Sequence, residues 1–293
     1  MHVFITGGSG LIGSAVVIEL LGQGHSVTGL ARSDASAQAL TTAGAAVMRG
    51  DITNLNVVRT GAKQADGVIH LAFGNDFSSA EAITRAVSEE SAALQAIGEE
   101  LVGSDRPFVT VAGTPWMPGR LSTEADRMAI EGPFGGRFHS VEAVLGLASH
   151  GVRSSAVRLP RTVHNHGKGG FAGLLTDIAR KSRVSGYPGD GTQRWPAVHA
   201  LDAAVLFRLA LESAPAGTVW HAVADEADKV SDIAAVIGRR LGLPIESVPQ
   251  DHFGALGPIF SMDQPSSSAY TREKLGWRPS HPSLLRDLES LLP

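Results

Sequence analysis

The chain has 293 residues, 43% of them hydrophobic, a formal net charge of −4 and no cysteine. That charge offers nothing to a nucleic-acid backbone, and the missing thiols exclude disulfides, thiolate nucleophiles and cysteine-held metals. No apolar run reaches a membrane-spanning length and the first residues already read as a strand, so no signal peptide and a cytoplasmic location are expected.

The apolar run His2-Val3-Phe4-Ile5 predicts a first strand. Thr6-Gly7-Gly8-Ser9-Gly10-Leu11-Ile12-Gly13 follows and opens a helix with Leu11, Ile12, Val16, Val17, Leu20 and Leu21 apolar. Strand, glycine turn and helix N-terminus in this order predict a dinucleotide site. Gly7 allows the tight turn, Gly10 lets backbone approach the pyrophosphate, and Gly13 lets helix and strand pack closely. The helix start turns N–H groups and a partial positive charge toward the phosphates.

A second strand over 26–31 ends in Ala31-Arg32-Ser33. An NAD site places a carboxylate here for the ribose 2′-OH. Arg32 and Ser33 instead suit a 2′-phosphate, which favours NADP(H); the alternative is a solvated loop charge. Asp34 reads as the cap of the next helix. After a third strand over 46–48, Asp51-Ile52 faces the adenine edge or caps the helix after Thr53. His70-Leu71-Ala72-Phe73 ends a fourth strand over 67–71, at the sheet edge where ligands bind. The helix over 78–102 carries Glu89-Glu90 and Glu99-Glu100, read as solvated faces. A fifth strand over 108–112, a helix over 139–150 and a sixth strand over 153–158 complete the alternation.

This pattern predicts an α/β fold, a doubly wound parallel Rossmann sheet with a small C-terminal substrate-binding lobe. The Rossmann part is expected over 1–160, with 194–222 returning to it, and the lobe over 161–193 and 223–293. Within these, 161–170 reads as a basic loop crossing into the lobe. Helices are expected over 171–182 and 202–212, and a late strand over 218–222. The tail reads as helical segments broken by Pro244, Pro249, Pro258 and Pro265.

These residues resemble the extended branch of the short-chain dehydrogenase/reductase superfamily, over nearly the whole chain. The resemblance rests on the glycine motif at Thr6–Gly13, on Asp51, and on the strand-four segment His70–Phe73. Arg158-Leu159-Pro160 is similar to the segment that closes over the nicotinamide. Arg194-Trp195-Pro196-Ala197-Val198-His199 with Asp202, and Lys274-Leu275-Gly276-Trp277-Arg278-Pro279, are similar to later family segments. The resemblance implies cofactor contacts from Gly7, Gly10, Leu11, Ile12, Gly13, Asp51, Ile52, Leu71, Ala72, Phe73 and Pro160.

It also implies a Ser/Thr after strand five and a Tyr-x-x-x-Lys on the next helix. Here Ala112, Phe134 and Phe138 stand in those three places, so the standard proton relay is absent. Tyr270 and Lys274 have the spacing but lie in the tail segment, and are read as a coincidence. Thr114, His139, His164 and His199 are the replacement candidates for a proton source. His164 and His166 sit in the loop 161–170 and lack a third ligand, so no metal is expected. Trp116, Phe134, Phe138, Phe171, Tyr187 and Trp195 are candidate walls of a substrate pocket, with ordinary core the alternative. The implied function is NADPH-dependent reduction of a small carbonyl or imine. A dinucleotide-binding sensor without turnover is the second reading, and nucleotide-sugar epimerase or dehydratase chemistry the third. The expected partner is a small molecule, with a homodimer left open and nucleic acid and membrane excluded.

Overall fold

The computed structural model describes residues 1–74, 79–128 and 135–292. In chain order its first half runs β1 (His2–Thr6), α1 (Leu11–Gly22), β2 (Ser26–Ala31), α2 (Asp34–Ala43), β3 (Ala46–Arg49), α3 (Leu55–Gln64), β4 (Gly67–His70), α4 (Ala80–Leu101), β5 (Pro107–Gly113), α5 (Gly135–Gly146) and β6 (Arg153–Leu159). There follow β7 (Thr162–His164), α6 (Gly170–Ser182), β8 (Ser185–Pro188), β9 (Arg194–His199), α7 (Ala200–Ser213), β10 (Thr218–His221), β11 (Asp225–Lys229), α8 (Val230–Leu241), β12 (Ile245–Val248), α9 (Gly257–Phe260), α10 (Ala269–Leu275) and α11 (Leu284–Leu288).

Two compact units emerge, each made of three chain segments. The first comprises Met1–Ala112, Met128–Arg158 and Ala204–Trp220, and the second Gly113–Arg127, Leu159–Ala203 and His221–Pro293. Residues 194–203, expected with the Rossmann part, fall in the second unit, because β9 pairs with β7 and β11.

The central sheet has the order β10-β6-β5-β4-β1-β2-β3. β1 pairs in parallel with both β2 and β4, so the direction of winding reverses between β1 and β4. In such sheets the crevice at that reversal, beyond the strand C-termini, is the ligand site. The expectation of six strands is corrected to seven, since β10 adds to the edge beside β6. The strands are apolar runs because helices cover both faces. Phe4, Val68, Leu94, Ile97 and Phe108 form one buried cluster there.

Local chemistry places the helix starts. Ser33, not Asp34, caps α2, its hydroxyl accepting from Ser36 N–H at 3.2 Å. Asn54, not Asp51, caps α3, accepting from Val57 N–H at 3.4 Å. Asp51 instead closes a turn on Thr53, accepting from its N–H and its hydroxyl at 3.0 Å each. α5 begins four residues earlier than expected, and a short tight turn over 147–150 follows it.

The second unit holds a three-stranded sheet, β11-β9-β7, and the parallel pair β8–β12. Residues 161–170 are therefore not all loop, and the tail is not all helix. Its core gathers Trp195, Ile233, Ile237, Phe253 and Phe260. Among the described residues no helix is long and apolar enough to cross a membrane.

Candidate functional site

The glycine turn closes the end of β1 against the segment after β4. Gly7 has φ +73, and a Cβ there would lie 2.7 Å from Ala72 N, so only glycine fits. Leu71 N–H donates to the Thr6 carbonyl at 3.1 Å, which sets that segment beside the turn. At Gly13 a Cβ would meet the Gly7 carbonyl at 2.0 Å, so close packing dictates this glycine too.

Gly10 differs. It has an ordinary extended backbone (φ −77), and a Cβ there would touch only the Gly7 carbonyl, at 3.5 Å. Nothing among the described residues requires glycine at this position. It is the N-cap of α1, and no side chain caps that helix. Leu11 and Ile12 form its first turn. Among the described residues no side chain caps the N–H groups of this helix start, the arrangement in which a helix N-terminus can receive a phosphate. The residues present suit a dinucleotide.

Around this turn, Arg32 is exposed directly after β2. Asp34, the nearest carboxylate in sequence, is held by Arg49 at 2.6 Å. At the end of β4, His70 is fully buried and shares a hydrogen bond of 2.9 Å with the Thr6 hydroxyl. Burial, with the charge of Arg137 added, pushes its pKa down to about 3, so the ring is neutral near pH 7.

Sequence reasoning missed a buried ion pair in this unit. Glu90 is not solvated; its side chain is 1% exposed and both carboxylate oxygens accept from Arg137 Nε, at 2.9 and 3.1 Å. Burial raises the Glu90 pKa, and Arg137 opposes that rise. The Arg137 guanidinium lies 4.3 Å from the centroid of the Phe73 ring. A signal existed: Ala86, Ala93 and Ile97 put position 90 on the buried stripe of α4.

The proton-source candidates separate. His139 is exposed on α5, its Nδ1 3.0 Å from the Gly135 carbonyl. Phe138 is half-buried on the same helix, and Phe134 lies outside the described residues. Thr114 is buried in the second unit, where Gln264 donates to its carbonyl at 2.7 Å. His164 is not in a loop. It is 1% exposed on β7 and donates from Nδ1 to Asp287 at 2.8 Å. Its ring meets His199 edge-on at 5.3 Å, and His199 stacks on His281 at 4.9 Å. Burial first, then the charges of His164 and His281, pushes the His199 pKa down. Pro160 is buried between β6 and β7. Tyr270 and Lys274 are both exposed on α10, with Lys274 paired to Glu273 at 2.8 Å.

The expected pocket walls are also resolved. Trp195 is fully buried, with Phe171 5.8 Å and Phe260 5.2 Å away, so it is core. Phe171 and Tyr187 are half-buried against that core, and Trp116 is 47% exposed, its indole N–H donating to the Asp263 carbonyl at 3.0 Å. A cavity of about 470 Å³ does occur in the second unit, lined by Asp190, Gln193, Arg194 and Asp263 among others. Arg194 is clamped by Asp263 at 3.0 and 2.7 Å, which cancels its charge and leaves Asp190 in excess.

Beside it, β11 carries an acid with displaced ionisation. Burial, and then Asp225 and Asp232, push the Asp228 pKa up to about 7. The folded chain keeps this proton between pH 4 and 7 while the unfolded chain loses it, so stability falls as pH rises through that window. Asp228→Asn is expected to be more stable than the wild type above pH 7, by about 2 kcal/mol once partial exposure is allowed for. Denaturant unfolding at pH 5 and pH 8 checks this; an unchanged pH slope would refute it.

Comparison with known proteins agrees with this architecture. Residues 3–222 match the family described as NAD dependent epimerase/dehydratase. An uncharacterized protein of Schizosaccharomyces pombe is 42% identical over 296 residues, 99% of each chain. UDP-glucose 4-epimerase of Thermotoga maritima, solved with UDP-glucose, superposes with a TM-score of 0.79 at 19% identity, over 99% of this chain and 97% of that one. The dTDP-glucose 4,6-dehydratase DesIV of Streptomyces venezuelae, solved with NAD, gives 0.78 at 18% identity, over 99% and 96%. At that identity the solved structures share the fold; the family match and the fungal relative carry the assignment, and the chain belongs to the NAD dependent epimerase/dehydratase family.

Proposed function

We propose that this chain is an NADP(H)-dependent reductase of a small carbonyl or imine. The observation that carries the cofactor choice is Arg32. It is exposed and hydrogen-bonds to nothing among the described residues, while the carboxylate of Asp34 is taken by Arg49. A cation and the Ser33 hydroxyl then meet the ribose where an acid would reject a 2′-phosphate. Gly7, Gly10 and Gly13 hold the pyrophosphate, with Asp51 and Ile52 toward the adenine and Leu71, Ala72 and Phe73 toward the nicotinamide.

When bound, NADPH supplies a hydride to an electrophilic carbon. The protein's part is to hold that carbon in place and settle the proton. A carbonyl oxygen needs a proton; an iminium carries its own. Phe138 stands in the place of the relay lysine and has no proton to give, which favours the imine. Of the candidate acids, His139 shares a helix with Arg137 and Phe138 and is open to solvent.

Nucleotide-sugar epimerase or dehydratase chemistry requires the tyrosine base, and Phe134 stands in its place. The sensor reading draws on the absent relay alone.

NADPH is expected to bind more tightly than NADH, and Arg32→Ala to remove most of that preference, roughly 1.5–3 kcal/mol. Equal affinities in the wild type would end the NADP(H) assignment. NADPH oxidation should then appear with some aldehyde, ketone or imine, imines leading. Tight NADPH binding with no oxidation across the whole screen would replace the reductase with the sensor.

A further inference from the structure

We infer that Arg137 is a carboxylate-binding fork, so that the substrate carries a carboxylate beside its reducible carbon. The reducible carbon rests on the reductase reading, and the fork on geometry alone.

An arginine that serves only to tie two helices together has five N–H donors with which to do it. The strongest such tie is bidentate, two parallel N–H groups on two carboxylate oxygens. Arg137 does not make it. Both oxygens of Glu90 converge on Nε, and among the described residues the two terminal nitrogens donate to nothing. Among the described residues the end-on fork, the face that matches a planar carboxylate, is uncommitted. The side chain is 21% exposed, so water and ligands reach it.

The fork is also held still. Glu90, itself buried, fixes one edge of the guanidinium, whose central carbon sits over the Phe73 ring. A cation whose side-chain freedom is already lost binds an anion at lower entropic cost than a free surface arginine does. Its location is informative too. Phe73 follows β4, one of the two strands flanking the reversal of winding, and His70 at that strand's end feels the charge of Arg137. Arg137 therefore lies by the C-terminal end of β4, the strand that pairs with β1, after which the glycine turn comes.

The charge selects the ligand class. One guanidinium, partly neutralised by Glu90, suits a monoanion and not a diphosphate. Its planar pair of donors suits a carboxylate, where a point charge such as lysine would not discriminate.

The test uses the protein saturated with NADP+, which allows binding without turnover. Pyruvate, 2-oxobutyrate and phenylpyruvate are each titrated calorimetrically against their methyl esters. At least one acid should bind tenfold or more tightly than its ester. Arg137→Lys keeps a cation beside Glu90 but lacks the fork, and should lose most of that ratio with NADP+ affinity unchanged. The paired variant R137M/E90Q removes cation and counter-charge together, keeps the buried site neutral, and should lose the ratio entirely. Equal binding of acids and esters, no binding of any acid, or an undiminished ratio in Arg137→Lys overturns the fork. A loss of NADP+ affinity in step with acid affinity also overturns it, since Arg137 would then serve the cofactor. Acid binding with no oxidation of NADPH by any acceptor sinks the reductase reading and leaves the fork supported.

Discussion

Gly10→Val is expected to abolish dinucleotide binding, a loss of at least a hundredfold, while the protein stays folded. The two halves of this expectation come from the same geometry. Among the described residues a Cβ at position 10 meets only one atom, at van der Waals distance, and the backbone there is one any residue adopts. Valine therefore costs the fold little beyond a weaker helix start, about 1 kcal/mol or less. The space it takes is the space a phosphate would occupy before α1. Gly13→Val makes the contrast: its Cβ would lie inside the Gly7 carbonyl, and the turn itself should fail. NADPH fluorescence titration beside a thermal melt separates the cases. Undiminished binding by a folded Gly10→Val protein would show that the phosphates lie elsewhere.

Asp287→Ala should be the most destabilising single change in the second unit's polar core, costing about 2–4 kcal/mol. One oxygen of Asp287 accepts from both His164 Nδ1 and Gly167 N–H, at 2.8 and 2.9 Å. Removing it strands two buried donors at once, one of them on a ring that is 1% exposed. Asp287→Asn, which keeps a carbonyl oxygen in place, should cost less. Denaturant unfolding of the three proteins measures this, and an Asp287→Ala protein within 0.5 kcal/mol of wild type would refute it.

The strands of the central sheet were legible because burial on both faces writes an unbroken apolar run. Phe4-Ile5, Val68-Ile69 and Phe108-Val109 each announce one. The glycine turn was legible because its chemistry is local, confined to eight residues. β11 was not, since its sequence Asp225-Glu226-Ala227-Asp228-Lys229 has no strand-like composition; pairing with β9 imposes the extended form. β7 was hidden for a related reason: three residues are too few to show a period. The Glu90–Arg137 pair joins helices 47 residues apart, and no spacing rule reaches that far. Capping was misread by one residue at α2, and the alternative reading of Asp51 as a cap misses the α3 cap by three, because serine, asparagine and aspartate compete for the same role and only backbone geometry chooses.

The two compact units are interleaved along the chain, which alternates between them five times, at 112, 127, 158, 203 and 220. A gene cut at position 160, where the Rossmann part reads as ending, would strip β10 from the edge of the seven-stranded sheet. It would also leave residues 113–127 attached to the wrong half. Neither unit can then be inherited, expressed or exchanged as a contiguous cassette. A single crossover between relatives would mix segments of both units, so only exchange of the whole chain keeps each unit intact.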